Sequence, residues 1–270
     1  MNLELIKRIV RRILKFIKVP YFKLQQLYFK VVTNKIECNI CHYKANKFNS
    51  DNWHLNCTCP HCSSEVRQRL FIASLSHLDN FSYDKIISNK KILHFAPEAS
   101  VGMLIKSKAK EYKTADFFAE GYSYNNIDFN IDISDMKTIK NESFDCVIAC
   151  DVLEHVTNHI SGIREVIRVL NKGGFGIFTV PQKDNLKVTF EDFSITDKKE
   201  REKVFGQFDH LRIFGDDFID MLQDAGFEVT AVNESFFAKD IADLNVLFPP
   251  ILSKHPLATN YRKVFFCKKL

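Results

Sequence analysis

The chain has 270 residues, 46% of them hydrophobic and 26% charged, which suits a globular protein with one substantial core and room for a small accessory module. No apolar run reaches the eighteen or so residues of a membrane span, and charges interrupt the opening stretch too often for a secretory signal. The net charge of +5 is uneven: residues 1–35 carry nine Lys or Arg against the single acid Glu4, a local +8 that leaves the other 235 residues at −3. The body therefore offers no general track for phosphates.

In the leading segment, Leu3, Ile6, Val10, Ile13 and Ile17 recur every three or four residues and line one helical face. Lys7, Arg8, Arg11, Arg12, Lys15 and Lys18 cover the other side, and Pro20 limits the helix. Such a basic amphipathic helix suits an anionic membrane surface, which makes residues 1–18 a candidate peripheral contact at the inner membrane face. It equally suits a helix docked on its own domain or on a partner, with a nucleic-acid arm as a weaker third reading, and the spacing alone does not choose.

Two Cys-x2-Cys pairs follow, Cys38 with Cys41 and Cys59 with Cys62, seventeen residues apart. Each pair can aim two thiolates at one point, so together they fit a closed tetrahedral Zn2+ shell of structural type. A redox pair is the alternative, but two pairs at this spacing favour metal, and metal use places the protein in a reducing cytoplasm. Cys57, His42 and His61 are read as neighbours of the ligands. A connecting helix is expected from "SSEVRQRLFIASLSHL", started by a Ser cap, with Arg67 and Arg69 read as surface residues in preference to substrate contacts.

From Lys91 onward, strand-like and helix-like segments alternate. "KILHFA", "YKTADF", "NNIDFNIDI" and "SFDCVIACD" read as strands one to four. A helix is expected from Leu153 to Leu170, then a glycine turn, a fifth strand over Phe175–Val180, a helix closed by Gly226 and two final strands. Continuous apolar strands separated by helices imply a mostly parallel sheet covered on both faces, with ligands at the carboxyl ends of the strands. Glu98, Asp116, Asp132 and Asp151 follow or end strands one to four, so all four fall on that edge.

The stretch "SFDCVIACDVLEHV" with "REVIRVLNKGGFGIFTVP" resembles the core of class I S-adenosylmethionine-dependent methyltransferases, above all the broad small-molecule group called type 11. "LHFAPE" and "GQFDHLRIFG" are similar to a subgroup with a four-cysteine zinc-ribbon-like leader. The likeness covers about residues 90–182. It implies an α/β fold with a Rossmann-like, mostly parallel seven-stranded sheet and helices on both faces. Ahead of that sheet lie the basic helix and the small zinc ribbon. The expected organisation is residues 1–35, a ribbon at 36–64, a connecting helix at 65–89 and a methyltransferase domain at 90–270.

The resemblance also implies site residues. Asp116 would hold the ribose, Asp132 and Ile133 would flank the adenine, and Cys150 and Asp151 would face the methionine part. His94, Ala96, Pro97 and Glu98 form the first turn, which lacks the usual glycines, and His155 opens the region after strand four. The segment 183–212 is too long for a plain connection and is expected to be an acceptor pocket or lid. Within it, the neighbours Asp209 and His210 are the candidate general base, and Arg212 the clamp for an anionic acceptor. The expected activity is methyl transfer from S-adenosylmethionine to a small-molecule or glycan-like acceptor. RNA methylation and a non-catalytic zinc-containing binding protein are the alternatives.

Overall fold

The structure, a computed structural model, describes residues 35–51, 53–117 and 127–270; the helix expected over residues 1–18 lies outside them. The described chain opens on a hairpin of β1 (Ile36–Glu37) and β2 (Lys44–Ala45), followed by α1 (Val66–His77) and α2 (Tyr83–Ile86). Then come β3 (Lys91–Phe95), α3 (Ala99–Lys106), β4 (Glu111–Asp116), β5 (Phe129–Asn130), β6 (Phe144–Cys150), α4 (His159–Val169) and β7 (Leu170–Thr179). The insertion carries β8 (Phe190–Glu191), α5 (Lys198–Phe205) and β9 (Arg212–Ile213), and the chain closes with α6 (Phe218–Asp224), β10 (Phe227–Val232), α7 (Lys239–Asn245) and β11 (Val264–Lys269).

Seven strands form one sheet in the order β10-β11-β7-β6-β3-β4-β5. All pairs from β7 to β5 are parallel, and β11 alone runs against its neighbours. Alternation along the strands builds two cores. Ile92, Ile148, Ile177 and Phe266 face α1 and the cysteine hairpin, whereas Leu93, Val147, Phe178 and Phe265 face α4 and α6. Among the described residues, no helix is long and apolar enough to cross a membrane.

Local chemistry moved several expected boundaries. The helix expected from Leu153 starts at His159, because Asn158 Oδ1 accepts from Ser161 N at 3.0 Å and caps it there. The glycine turn before the fifth strand is a bulge inside β7: Phe144 pairs with Leu170, yet Cys146 pairs with Phe175, and Gly173 supplies the left-handed backbone at φ +74°. The cap of α1 is Glu65 rather than a serine, with Gln68 Oε1 accepting from Glu65 N at 2.7 Å.

The cysteine segment does not stand apart from the sheet. Arg69 was expected at the surface but is fully buried. Its guanidinium donates to the carbonyls of Asn245 (2.9 Å), Val246 (3.0 Å) and Cys57 (2.6 Å), and to that of Ser64, while its charge lies 4.9 Å from the Phe48 ring centre. One side chain thus joins the hairpin, α1 and the end of α7.

Candidate active site and cysteine cluster

The chain order reverses at β3, which lies between β4 and β6, and the carboxyl ends of these strands open onto a cavity of about 650 Å3. Phe95 and Ala96 form its edge at β3, Asp116 closes β4, Asp132 and Ile133 follow β5, and Asp151 follows β6. From the opposite side Lys198, Arg201, Phe208 and Asp209 of the insertion complete the wall. Two of the strand ends carry left-handed backbone without glycine: Ala96 at φ +44° and Asp151 at φ +50°. The first turn therefore bends as a glycine turn would, and an alanine carries the strain.

Asp116 receives the Phe117 N–H at 2.8 Å, and burial raises its pKa against that bond and the nearby His155. Asp132 Oδ1 accepts from both the backbone N and the hydroxyl of Ser134, at 2.7 Å each, which fixes the turn beyond β5. Asp151 is held more tightly. Thr179 Oγ1 donates to it at 2.7 Å, Arg67 Nε lies 3.0 Å away, and Arg262 forms a further ion pair. Burial works against its charge, but Arg262 and Arg67 together outweigh burial and hold the carboxyl at about 2.

Ala96, Asp116, Asp132, Ile133, Asp151, His155 and Asp209 are thus brought to one cavity, whereas His94, Pro97, Glu98, Cys150, His210 and Arg212 do not line it. His94 is fully buried, with Nδ1 2.9 Å from the Tyr112 hydroxyl. Glu98 leads into α3 and turns toward α1, where Gln68 Nε2 donates to it at 3.1 Å and His94 Nε2 lies 3.6 Å away.

The expected Asp209–His210 pair is rearranged. Asp209 Oδ2 lies 3.4 Å from His155 Nδ1, while His210 Nδ1 lies 3.2 Å from the Phe205 carbonyl. The two imidazoles meet edge to face at 4.7 Å. Burial lowers the His155 pKa, but Asp209 and Glu154 outweigh that and raise it overall. His210 is pushed down to about 4, by burial and then by the charge on His155.

Arg212 was expected to clamp an acceptor, and the structure gives it other work. It is fully buried, donating to the carbonyls of Leu153 (2.8 Å), Val156 (2.6 Å) and Thr157 (3.1 Å) and to Glu191 at 3.0 Å. With Nε and both terminal nitrogens engaged and no exposed surface, it pins the turn after β6 rather than facing a cavity.

The sequence reading misplaced one further residue and missed two. Arg67 is a hub for Glu65, Glu98 and Asp151, not a surface residue. Arg262 precedes the last strand, far in sequence from its partner Asp151. Glu154 is buried, with Oε2 lacking a partner, and burial followed by repulsion from Asp151 raises its pKa to about 8. Its signal was there: a carboxylate inside the apolar run "VLEHV".

A second cavity of about 300 Å3 adjoins the first through Gln207 and is lined by His210, Trp53, His54, Asp51 and Glu65. The sulfur atoms of Cys38, Cys41, Cys59 and Cys62 cluster elsewhere: Cys38 and Cys62 are 3.6 Å apart and Cys41 and Cys59 3.7 Å. Four Zn–S bonds of about 2.3 Å put tetrahedral sulfurs roughly 3.8 Å apart, so the donor set fits that ion. Cys57 is turned away, its Sγ bonding the Leu55 carbonyl at 3.3 Å. His42 pairs with Glu37 at 3.2 Å and His61 stacks on Tyr43, so neither joins the cluster.

The sheet order, the single reversed strand and a cavity at the switch point define a class I methyltransferase architecture. Residues 96–178 match the family model described as a methyltransferase domain. Similar solved structures include a SAM-dependent methyltransferase from Archaeoglobus fulgidus, at 11% identity over 75% of this chain and 94% of that one, with a TM-score of 0.47. Another is the 1,6-didemethyltoxoflavin-N1-methyltransferase of Burkholderia thailandensis, at 12% identity over 76% and 78%, with a TM-score of 0.46. An S-adenosylmethionine-dependent methyltransferase from Mesorhizobium loti shares 12% identity over 68% and 92%, with a TM-score of 0.46. No curated protein sequence matches the chain.

Proposed function

We propose that this protein is an S-adenosylmethionine-dependent methyltransferase acting on a small, hydroxylated, glycan-like acceptor that enters through the second cavity and meets the cofactor where the two cavities join. The observation that carries this reading is the shared wall: Gln207 borders both spaces, and His155 in the first lies against His210 in the second. Trp53, stacked on His255 at 4.3 Å, offers an aromatic platform, and Asp51, His54 and Glu65 offer hydrogen-bonding groups around it. That combination of one apolar face and several polar groups is what a sugar ring presents in reverse.

In the first cavity, Asp116 would accept from ribose hydroxyls, Asp132 and Ile133 would bracket the base, and the bent backbone at Ala96 would let the chain approach closely. When bound, S-adenosylmethionine supplies a methyl group already activated on a sulfonium. The protein then has to align the acceptor and exclude water, a task for which Lys198, Arg201 and Phe208 of the insertion, which line the cavity, are placed. The His155–Asp209 pair stands at the cavity edge, where it orients the acceptor side of the site.

Residues 36–64 fit a structural zinc ribbon held by Cys38, Cys41, Cys59 and Cys62. Its second role is to supply Trp53 and His54 to the acceptor wall. The +8 segment of residues 1–35 supports contact with an anionic membrane surface, which flotation with anionic vesicles would test. The test of the activity is methyl transfer from labelled cofactor to fractionated cellular glycans, small molecules and RNA. Label entering a carbohydrate fraction, and lost with Trp53→Ala, is expected; label confined to RNA would overturn the acceptor class.

A further inference from the structure

We propose that Glu154, His155 and His210 form a binding site for a divalent cation of the transition-metal class, at the seam between the two cavities, which holds the acceptor oxygen. The proposal rests on the methyltransferase reading for its role, but its observations are separate. One ligand atom from each of the three residues lies within 4.8 Å of the others. A cation at about 2.1 Å from each would draw them to roughly 3–3.5 Å, a closure that side-chain rotation supplies.

The chemistry of each donor is prepared for this. His155 Nδ1 faces Asp209 Oδ2 at 3.4 Å and His210 Nδ1 faces the Phe205 carbonyl at 3.2 Å. Both partners are acceptors, so in the neutral rings Nδ1 carries the proton and Nε2 is the atom that would take a cation. A carboxylate or carbonyl behind the ring is how metal-ligating histidines are oriented. Glu154 is 1% exposed, and its Oε2 has no hydrogen-bond partner, a cost that a cation would remove.

The backbone is equally set. Leu211 N donates to the Glu154 carbonyl at 2.9 Å, which registers His210 against Glu154. Arg212 fixes the carbonyls of Leu153, Val156 and Thr157 on either side of the other two donors. Two imidazoles and one carboxylate suit zinc, cobalt, iron or manganese better than calcium or magnesium.

Three protein donors leave coordination positions open, unlike the closed cysteine set. Since His210 borders the second cavity and His155 the first, those positions face the junction. An acceptor hydroxyl bound there would lose its proton to solvent more readily. Its oxygen would form the bond to the methyl carbon as the carbon–sulfur bond breaks, and the electron pair of that bond would stay on sulfur.

The test is titration of Co2+ into the full-length protein with zinc already in the cysteine cluster, read by calorimetry and visible absorption. One further equivalent is expected, with weak bands of nitrogen and oxygen ligation and no intense thiolate band. Glu154→Gln and His210→Ala should each weaken it tenfold or more, and the milder Asp209→Asn by a comparable factor. S-adenosylmethionine binding by each variant shows that it has folded. No additional Co2+, or affinity unchanged in all three variants, would overturn the site. Failure of Co2+ alone removes only the cation site; failure of S-adenosylmethionine alone leaves the cation site and removes its role in methyl transfer.

Discussion

Among the described residues lie two clusters of ligand-type side chains, and they are built on opposite plans. The four cysteines turn inward on one another, beside Ser64 and Arg69, and border neither of the two cavities around the strand ends. His155 borders one of those cavities and His210 the other, with Glu154 buried beside them and its Oε2 without a partner. A donor set closed on itself can only hold chain together, whereas one with open positions can hold something else. The same contrast separates the arginines: Arg69 donates to backbone carbonyls and Arg212 to three carbonyls and Glu191, while Arg67 is spent on carboxylates next to the strand-end cavity.

The sharpest way to break this comparison is to strip the closed cluster. Isolated zinc ribbons draw on the order of 10 kcal/mol from their metal. Here Cys38 and Cys59 belong to the same core as Ile92 and Ile148. A strong chelator should therefore lower the thermal midpoint of the whole described chain, measured by circular dichroism. If the ribbon signal alone were lost and the sheet kept its midpoint, the two would be energetically separate.

Next in size is Arg69→Met, which leaves four carbonyl acceptors buried without a donor. A loss of about 3 kcal/mol or more is expected in urea unfolding. A loss under about 1 kcal/mol would mean that the hairpin is held by other contacts.

On the cavity side, Asp151 links stability to pH. Its folded pKa of about 2 lies below the ordinary carboxylate value, so its contribution is present above about 4 and lost as pH falls toward 2. Asp151→Asn should remove that part of the acid dependence, on the order of 2 kcal/mol, when urea midpoints at pH 5 and pH 2.5 are compared. An unchanged acid limb would show that Arg67 and Arg262 do not act through this carboxylate. The smallest effect is Ala96→Gly, which relieves the left-handed backbone at φ +44° and should stabilise by about 1 kcal/mol. A net loss of stability would show that the first turn is not strained.

Much of the sheet was readable because buried parallel strands are continuous apolar runs, as in Phe144–Cys150, where alternate side chains serve two cores. The strand-end acids were readable for the same reason, since a strand's end fixes its loop's place. What stayed hidden depends on partners distant in sequence. Arg212 reads as a loop cation until the carbonyls of Leu153, Val156 and Thr157 surround it. Asp209 reads as the partner of its neighbour His210, yet the turn after β6 brings His155 to it instead. Arg262 gives no local sign that it faces Asp151 across 111 residues.

The central claim is that the cavity at the carboxyl ends of β3, β4 and β6 holds S-adenosylmethionine through Asp116. Isothermal titration of S-adenosylmethionine into the full-length protein and into Asp116→Ala tests it directly. One equivalent per chain is expected, weakened by about 1.5–3 kcal/mol, or roughly ten- to 150-fold, in the variant. Equal affinity in both proteins would contradict the assignment.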